Sequence, residues 1–116
     1  MKFTVGEINI VCTNVEVSLK FYRDILGFVP TQDEDGFYHL LSDGRQYLLL
    51  TIANTAFPEG SYGSIAQISM DLYVENLEQA YRYFQEHEVE FATEWQTGAR
   101  MFVIRDPDGL HWEIVA

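Results

Sequence analysis

A chain of 116 residues, 47% apolar and 15% aromatic, has the material for one domain with a real core. Seven basic residues against 18 acidic ones give a formal charge of −11, a surface that repels phosphate backbones and so excludes nucleic acid as the expected partner. No run approaches the roughly 18 apolar residues of a membrane span. The N-terminus lacks a signal-peptide pattern and the single cysteine, Cys12, has no internal partner, so a reducing cytoplasm is the expected compartment.

The first apolar run alternates. Ile8, Ile10 and Cys12 share one face of a strand, with Cys12 read as a small core residue, and Glu7, Asn9 and Val11 share the other. Asn14 then offers an N-cap, because its side chain can accept bonds from the orphan amides of a first turn. Val15, Ser18, Leu19 and Tyr22 recur at helical spacing, which predicts a helix over 15–26, with Gly27 in the left-handed position that ends it. Strand-like runs follow at 28–32, 37–41 and 46–52, and the turn "LSDGR" joins the last two. The segment "NTAFPEGSYGS", about 54–63, reads as a linker.

Past the linker the pattern returns. Sliding the chain by about 62 residues lays "INIVCTNVEVSLKFYRDI" over "MDLYVENLEQAYRYFQEH". Met70, Leu72 and Val74 repeat the apolar face, and Ser69, Asp71 and Tyr73 repeat the opposite one. Asn76 caps a helix over 77–87 carried by Leu77, Ala80, Tyr81 and Phe84, with His87 suited to its C-terminal dipole. Three more strands are expected at 89–95, 100–105 and 110–115, the last two joined by "DPDGL". Each half therefore reads β-α-β-β-β, an α+β arrangement. A curved four-stranded sheet with one helix on its back leaves a face uncovered, so two such sheets are expected to combine.

A three-residue loop of Pro107, Asp108 and Gly109 places Val103 opposite Glu113. Met101, Val103, Arg105, His111 and Glu113 then share a cavity face, while Trp112 and Ile114 turn to the helix layer. The same hairpin argument puts Tyr38 on the cavity face of the first half and turns His39 away from it, as a core or surface residue.

The segment "SLKFYRDILGF", the duplicated modules and the "DPDG…E" hairpin resemble the vicinal oxygen chelate superfamily. That group includes glyoxalase I, extradiol dioxygenases, fosfomycin resistance enzymes and bleomycin resistance proteins. The resemblance covers essentially the whole chain. It implies a single glyoxalase/bleomycin-resistance-like domain over 1–116, with modules at about 1–53 and 64–116. Its eight strands would form a cup-shaped mixed sheet with the helices outside. It also implies a homodimer, and a divalent metal held by four equivalent strand positions that fall here on Glu7, Leu48, Ser69 and Glu113.

Only two of those four are good ligands for a divalent ion that prefers oxygen. Leu48 has no donor atom and Ser69 offers a neutral hydroxyl. Glu7 and Glu113 with waters are the weak metal candidates, so no cofactor is the expectation and a divalent metal the alternative. His111 is favoured as a rim or surface residue, and a register change is what could bring it to a metal.

Two functions compete. The first is a metal-independent protein that sequesters a cationic or aromatic small molecule, resembling the bleomycin resistance branch. Its negative charge would come from Glu7, Asp71 and Glu113, partly offset by Arg105 in the free protein, and its ring-stacking walls from Tyr38, Tyr73, Trp95 and Phe102. Asn9, Leu48, Ser69, Met101, Val103 and His111 complete the expected lining; the bland reading makes the rings core and the acids solvated. The second is a lyase, isomerase or dioxygenase-like enzyme in which Glu7 and Glu113 face each other as acid and base with a weakly held metal.

Overall fold

The repeat read from the residues is present in the backbone. A computed structural model of the chain describes residues 1–116 except Glu59 and Ser61, both of which lie in the segment read as the linker. The chain divides into two units, Met1–Ala56 and Phe57–Ala116. The eight expected strands are present as two four-stranded mixed sheets, one in each unit.

In the first unit, β1 (Ile8–Val11) leads to a helix, α1 (Val15–Leu19), that continues as a wider π-helical stretch over Lys20–Ile25. Strands β2 (Val29–Gln32), β3 (Tyr38–Ser42) and β4 (Arg45–Leu50) follow. The sheet order is β1-β4-β3-β2, with β1 parallel to β4 and the other pairs antiparallel. Asn14 caps the helix as expected, its Oδ1 accepting from Glu16 N at 3.0 Å and Val17 N at 3.2 Å. Gly27 takes φ 76°, the left-handed conformation that stops the helix.

One face of this sheet is core. Ile10, Cys12, Leu40, Tyr47 and Leu49 are buried, and a stack of rings runs from Tyr22 through Phe28 to Tyr47, with centroids 5.8 and 6.0 Å apart. Burying each such ring is worth roughly 1.5–3 kcal/mol. The opposite face carries Glu7, Asn9, Val11, Thr31, His39, Leu41, Gln46 and Leu48, and Val11 and Leu41 on it are exposed. We call it the open face.

The second unit repeats the plan with β5 (Met70–Tyr73), α2 (Leu77–Glu86), β6 (Glu90–Thr93), β7 (Met101–Arg105) and β8 (His111–Val115), in the order β5-β8-β7-β6. Asn76 caps α2, its Oδ1 accepting from Gln79 N at 2.9 Å. The helix closes through His87 onto Glu88, a non-glycine residue at φ 57°. Phe102, Ile104, Trp112 and Ile114 are fully or almost fully buried, and Phe102 packs against Tyr81 and Phe84 of α2 and Phe91 of β6. The "DPDG" loop is built on buried Asp106, whose Oδ1 accepts from the amides of Asp108 and Leu110.

Candidate functional site

The expected pairing of Val103 with Glu113 is present, and Met101, Val103, Arg105, His111 and Glu113 share the open face of the second sheet. The parallel partner strand adds Asp71 directly beside Glu113. Among the described residues neither carboxylate has an ion pair or a side-chain hydrogen bond. Two like charges on neighbouring strand positions repel, so this pair is a local cost that folding alone does not compensate.

Arg105 does not supply the compensation expected of it. Its guanidinium donates to Glu90 Oε1 at 3.2 Å, to the Phe91 carbonyl at 3.0 Å and to the Gly60 carbonyl at 3.1 Å. His111 is a second correction: it is a buried residue, 3% exposed, rather than a rim residue. Gln67 Nε2 donates to its Nδ1 at 2.7 Å, leaving the ring proton on Nε2, and Tyr62 meets the ring edge-on. Burial, and secondarily the charge of Arg105, holds this imidazole below the usual histidine range. Tyr62 of the linker and Gln67 just after it thus cover the start of β8, which alternation within the strands does not reveal.

In the first unit the faces of β3 are the reverse of the expectation. Asp43 and Gly44, at φ 45° and 79°, form a two-residue turn that pairs Ser42 with Arg45. His39 therefore lies opposite Leu48 on the open face, while Tyr38 lies opposite Leu49 on the core face. This turn is one residue shorter than the loop of the other hairpin, and a one-residue change in a loop turns every side chain over.

His39 is the centre of a polar network. Its Nδ1 meets Glu7 Oε2 at 3.0 Å and its Nε2 meets Asp33 Oδ2 at 2.8 Å. Gln46 Nε2 donates to Glu7 Oε2 at 2.8 Å and lies 3.0 Å from His39 Nδ1. The hydrogen bonds to Asp33 and then Glu7 raise the imidazole above its ordinary range. Glu7 is lowered by Gln46 first and His39 second, and Asp33 by His39. Glu7 is thus an exposed carboxylate already compensated by His39 and Gln46. Asp33, His39 and Gln46 were missed; alternation from Leu48 back to Gln46, with the two-residue turn, is the signal that points to two of them.

The other expected wall residues scatter. Phe102 is core beneath α2, and Trp95 lies against Tyr81 of the same helix, with ring centroids 6.0 Å apart. Tyr73 is exposed on the open face, two residues along β5 from Asp71. Asn9 stands opposite Leu48, and Ser69 just precedes β5. Glu7 and Glu113 belong to different units.

A family model described as Glyoxalase/Bleomycin resistance protein/Dioxygenase superfamily matches residues 4–114. The chain belongs to this superfamily. Among solved structures, the fosfomycin resistance protein FosX from Mesorhizobium loti is similar at 9% identity with a TM-score of 0.73, over 99% of this chain and 92% of that one. An integron cassette protein from the mobile metagenome of V. cholerae is similar at 20% identity and TM-score 0.70, over 98% and 95%. A lactoylglutathione lyase from Agrobacterium tumefaciens is similar at 18% identity and TM-score 0.67, over 97% and 92%. At these identities the likeness establishes the fold. A comparison with curated proteins by sequence gave no match.

The metal set that the superfamily implies does not fit these residues. Leu48 has no donor atom, and Glu7 Oε2 is already occupied by Gln46 and His39. Among the described residues no three His, Cys, Asp or Glu side chains converge where they could hold an ion. No described helix is long and apolar enough to cross a membrane.

Proposed function

We propose that this chain is a small-molecule binding protein whose ligand carries a positive charge, and that the charged group is received on the open face of the second sheet by Asp71 and Glu113. One observation carries the reading: the two carboxylates stand side by side without a basic partner among the described residues. A ligand cation relieves their repulsion and adds charge-assisted hydrogen bonds at the same point. The formal charge of −11 raises the local concentration of such a ligand, and the exposed ring of Tyr73 offers a face for a cation. Binding in this form requires no metal at the four positions implied by the superfamily.

The test is a calorimetric screen of organic cations, quaternary ammonium compounds and polyamines among them, against neutral analogues of the same size. Cationic compounds should bind, and Glu113→Gln or Asp71→Asn should each weaken them by roughly 1.5–3 kcal/mol, the size of a hydrogen bond to a charged group. Equal affinity for the neutral analogues, or no effect of either substitution, refutes the reading.

A second reading, an enzyme that moves a proton, has one observation in its favour: Glu7 is coupled through His39 to Asp33. A carboxylate backed by an imidazole and a second carboxylate is suited to general acid–base work. Turnover of a small carbonyl substrate that is lost in Glu7→Gln would support it.

A further inference from the structure

The two units differ in what lies over their open faces. In the second, the segment before β5 folds back across the sheet. Gln67 bonds to His111 on β8, Tyr62 meets the same ring, and the Gly60 carbonyl accepts from Arg105 on β7. The segment therefore runs from β5 over β8 to β7, the order of the strands in the sheet, and His111 is buried beneath it. It is a strap.

The internal repeat makes Met1–Gly6 the counterpart of the part of this strap nearest β5: Val5 takes the place of Gln67, and Phe3 that of Ile65. Glu7 and Ser69 continue each segment onto an open face, so alternation puts Val5, Phe3 and Met1 on the open-face side and Lys2 and Thr4 on the other. That is the pattern of a strand that buries one face. Here the face is bare. Met1–Gly6 are all exposed, Phe3 and Val5 at 88% each. Lengthening β1 cannot cover them: the parallel register of Ile8 with Tyr47 sets Gly6 beside Arg45, where β4 begins, so Val5 and the residues before it lie past the end of the neighbouring strand.

The surface within reach has the complementary character. The row that answers to His111, Arg105 and Glu90 of the second sheet is Gln46, Leu41 and Val29 in the first. In the second unit Arg105 and Glu90 form an ion pair, and Arg105 holds the strap by a backbone carbonyl. In the first, Leu41 and Val29 face each other across β3 and β2, apolar and exposed at 43% and 58%. Strands about 4.8 Å apart place β2 roughly 14 Å from β1, and Met1–Val5, extended at about 3.3 Å per residue, spans roughly 16 Å.

We propose that Met1–Gly6 is a strap that closes over the open face of its own first sheet, with Val5 beside Gln46, Phe3 on Leu41 and Met1 on Val29. Burial of apolar surface on both sides drives the closure, and the ordering of the segment opposes it. The closed strap shuts the network of Glu7, His39 and Gln46 off from bulk water, and the open one exposes it, so the strap governs access to this face. The inference does not depend on the carboxylate pair proposed to receive the organic ligand.

The experiment oxidises two double-cysteine variants of the full chain in a glutathione buffer; Cys12 is buried and stays out of the exchange. One carries Phe3→Cys with Leu41→Cys. The control carries Phe3→Cys with Asp24→Cys, on the helix that packs against the other face of the sheet. The first should form a disulfide within one chain several-fold faster than the control, because closure raises the effective concentration of one thiol about the other. Equal rates overturn the inference. So does a disulfide that joins two chains on a non-reducing gel, which would place the segment on a second copy. Because the substitutions remove side chains that drive closure, the wild type is examined too: proton NMR of selectively labelled protein should show nuclear Overhauser contacts from the Phe3 ring to the methyl groups of Leu41. Their absence overturns the inference as well.

Discussion

His39 Nδ1 lies 3.0 Å from Oε2 of Glu7, a residue 32 positions away in the chain, and this contact engages the carboxylate at the superfamily's first-strand position. Gln46 makes a second bond to the same oxygen, so Glu7 is ionised and held rather than waiting for a counter-charge.

Removing either partner should raise the Glu7 pKa. Gln46 lowers it through a hydrogen bond, and His39 through a hydrogen bond and its charge, so Gln46→Leu and His39→Leu should each produce a rise. Carbon-13 NMR titration of the Glu7 carboxyl group in the two variants reads both rises directly. An unmoved Glu7 pKa in both would mean that the network is absent in solution.

His111 predicts a dependence of stability on pH. Burial keeps its folded-state pKa below the unfolded value of about 6.5. Its contribution is therefore complete above that value and is lost as pH falls through the folded-state pKa, because the unfolded chain takes up the proton first. His39 runs the other way: its folded-state pKa is raised, so its contribution is present at low pH and fades as pH rises. Urea titrations of wild type and His111→Asn between pH 7.5 and roughly 5 separate the two, since the variant keeps His39. The wild type should lose stability on acidification relative to the variant, and parallel curves would contradict the assignment.

The pairing of Asp71 with Glu113 should be visible without any ligand. Glu113→Gln or Asp71→Asn relieves a like-charge contact and should stabilise the free protein by roughly 0.2–1 kcal/mol, with a smaller gain at high salt. Chemical denaturation at two ionic strengths checks this. A loss of stability on removing the charge would show that an unseen partner holds the pair.

The end of α2 offers a backbone test. Glu88 occupies the left-handed region at φ 57°, where the first helix uses Gly27 at φ 76°. Glu88→Gly should stabilise the protein by about 0.5–1 kcal/mol, because the relief of Cβ crowding exceeds the added flexibility of the unfolded chain. A destabilised variant would place the residue outside that conformation.

Much of the fold was legible because its signals are local. The caps at Asn14 and Asn76, the stop at Gly27 and the Asp-Gly turns each act within a few residues, and their recurrence after about 62 positions exposed the duplication. The open-face row of β7 and β8 followed from one correctly counted loop. The site was less legible, because its contacts join distant segments. His39 was assigned to the wrong face through a loop counted one residue too long, and Asp33 enters from the turn after β2, where no periodicity applies. Tyr62 and Gln67 belong to a stretch without repeating structure, so their cover over His111 left no pattern to read.

The strand pairings make Glu7 equivalent to Ser69, His39 to Val103 and Gln46 to His111, while Leu48 corresponds to Glu113. The two copies keep the same skeleton and differ in opposite directions: the first sets His39 where the second has Val103, and the second sets Glu113 where the first has Leu48. The second copy is thus a ready-made recipient for transplantation. Ser69→Glu, Val103→His and His111→Gln together would rewrite its open face with the vocabulary of the first, and whether that graft rebuilds the hydrogen-bonded network asks if inheritance of a backbone suffices for inheritance of a site.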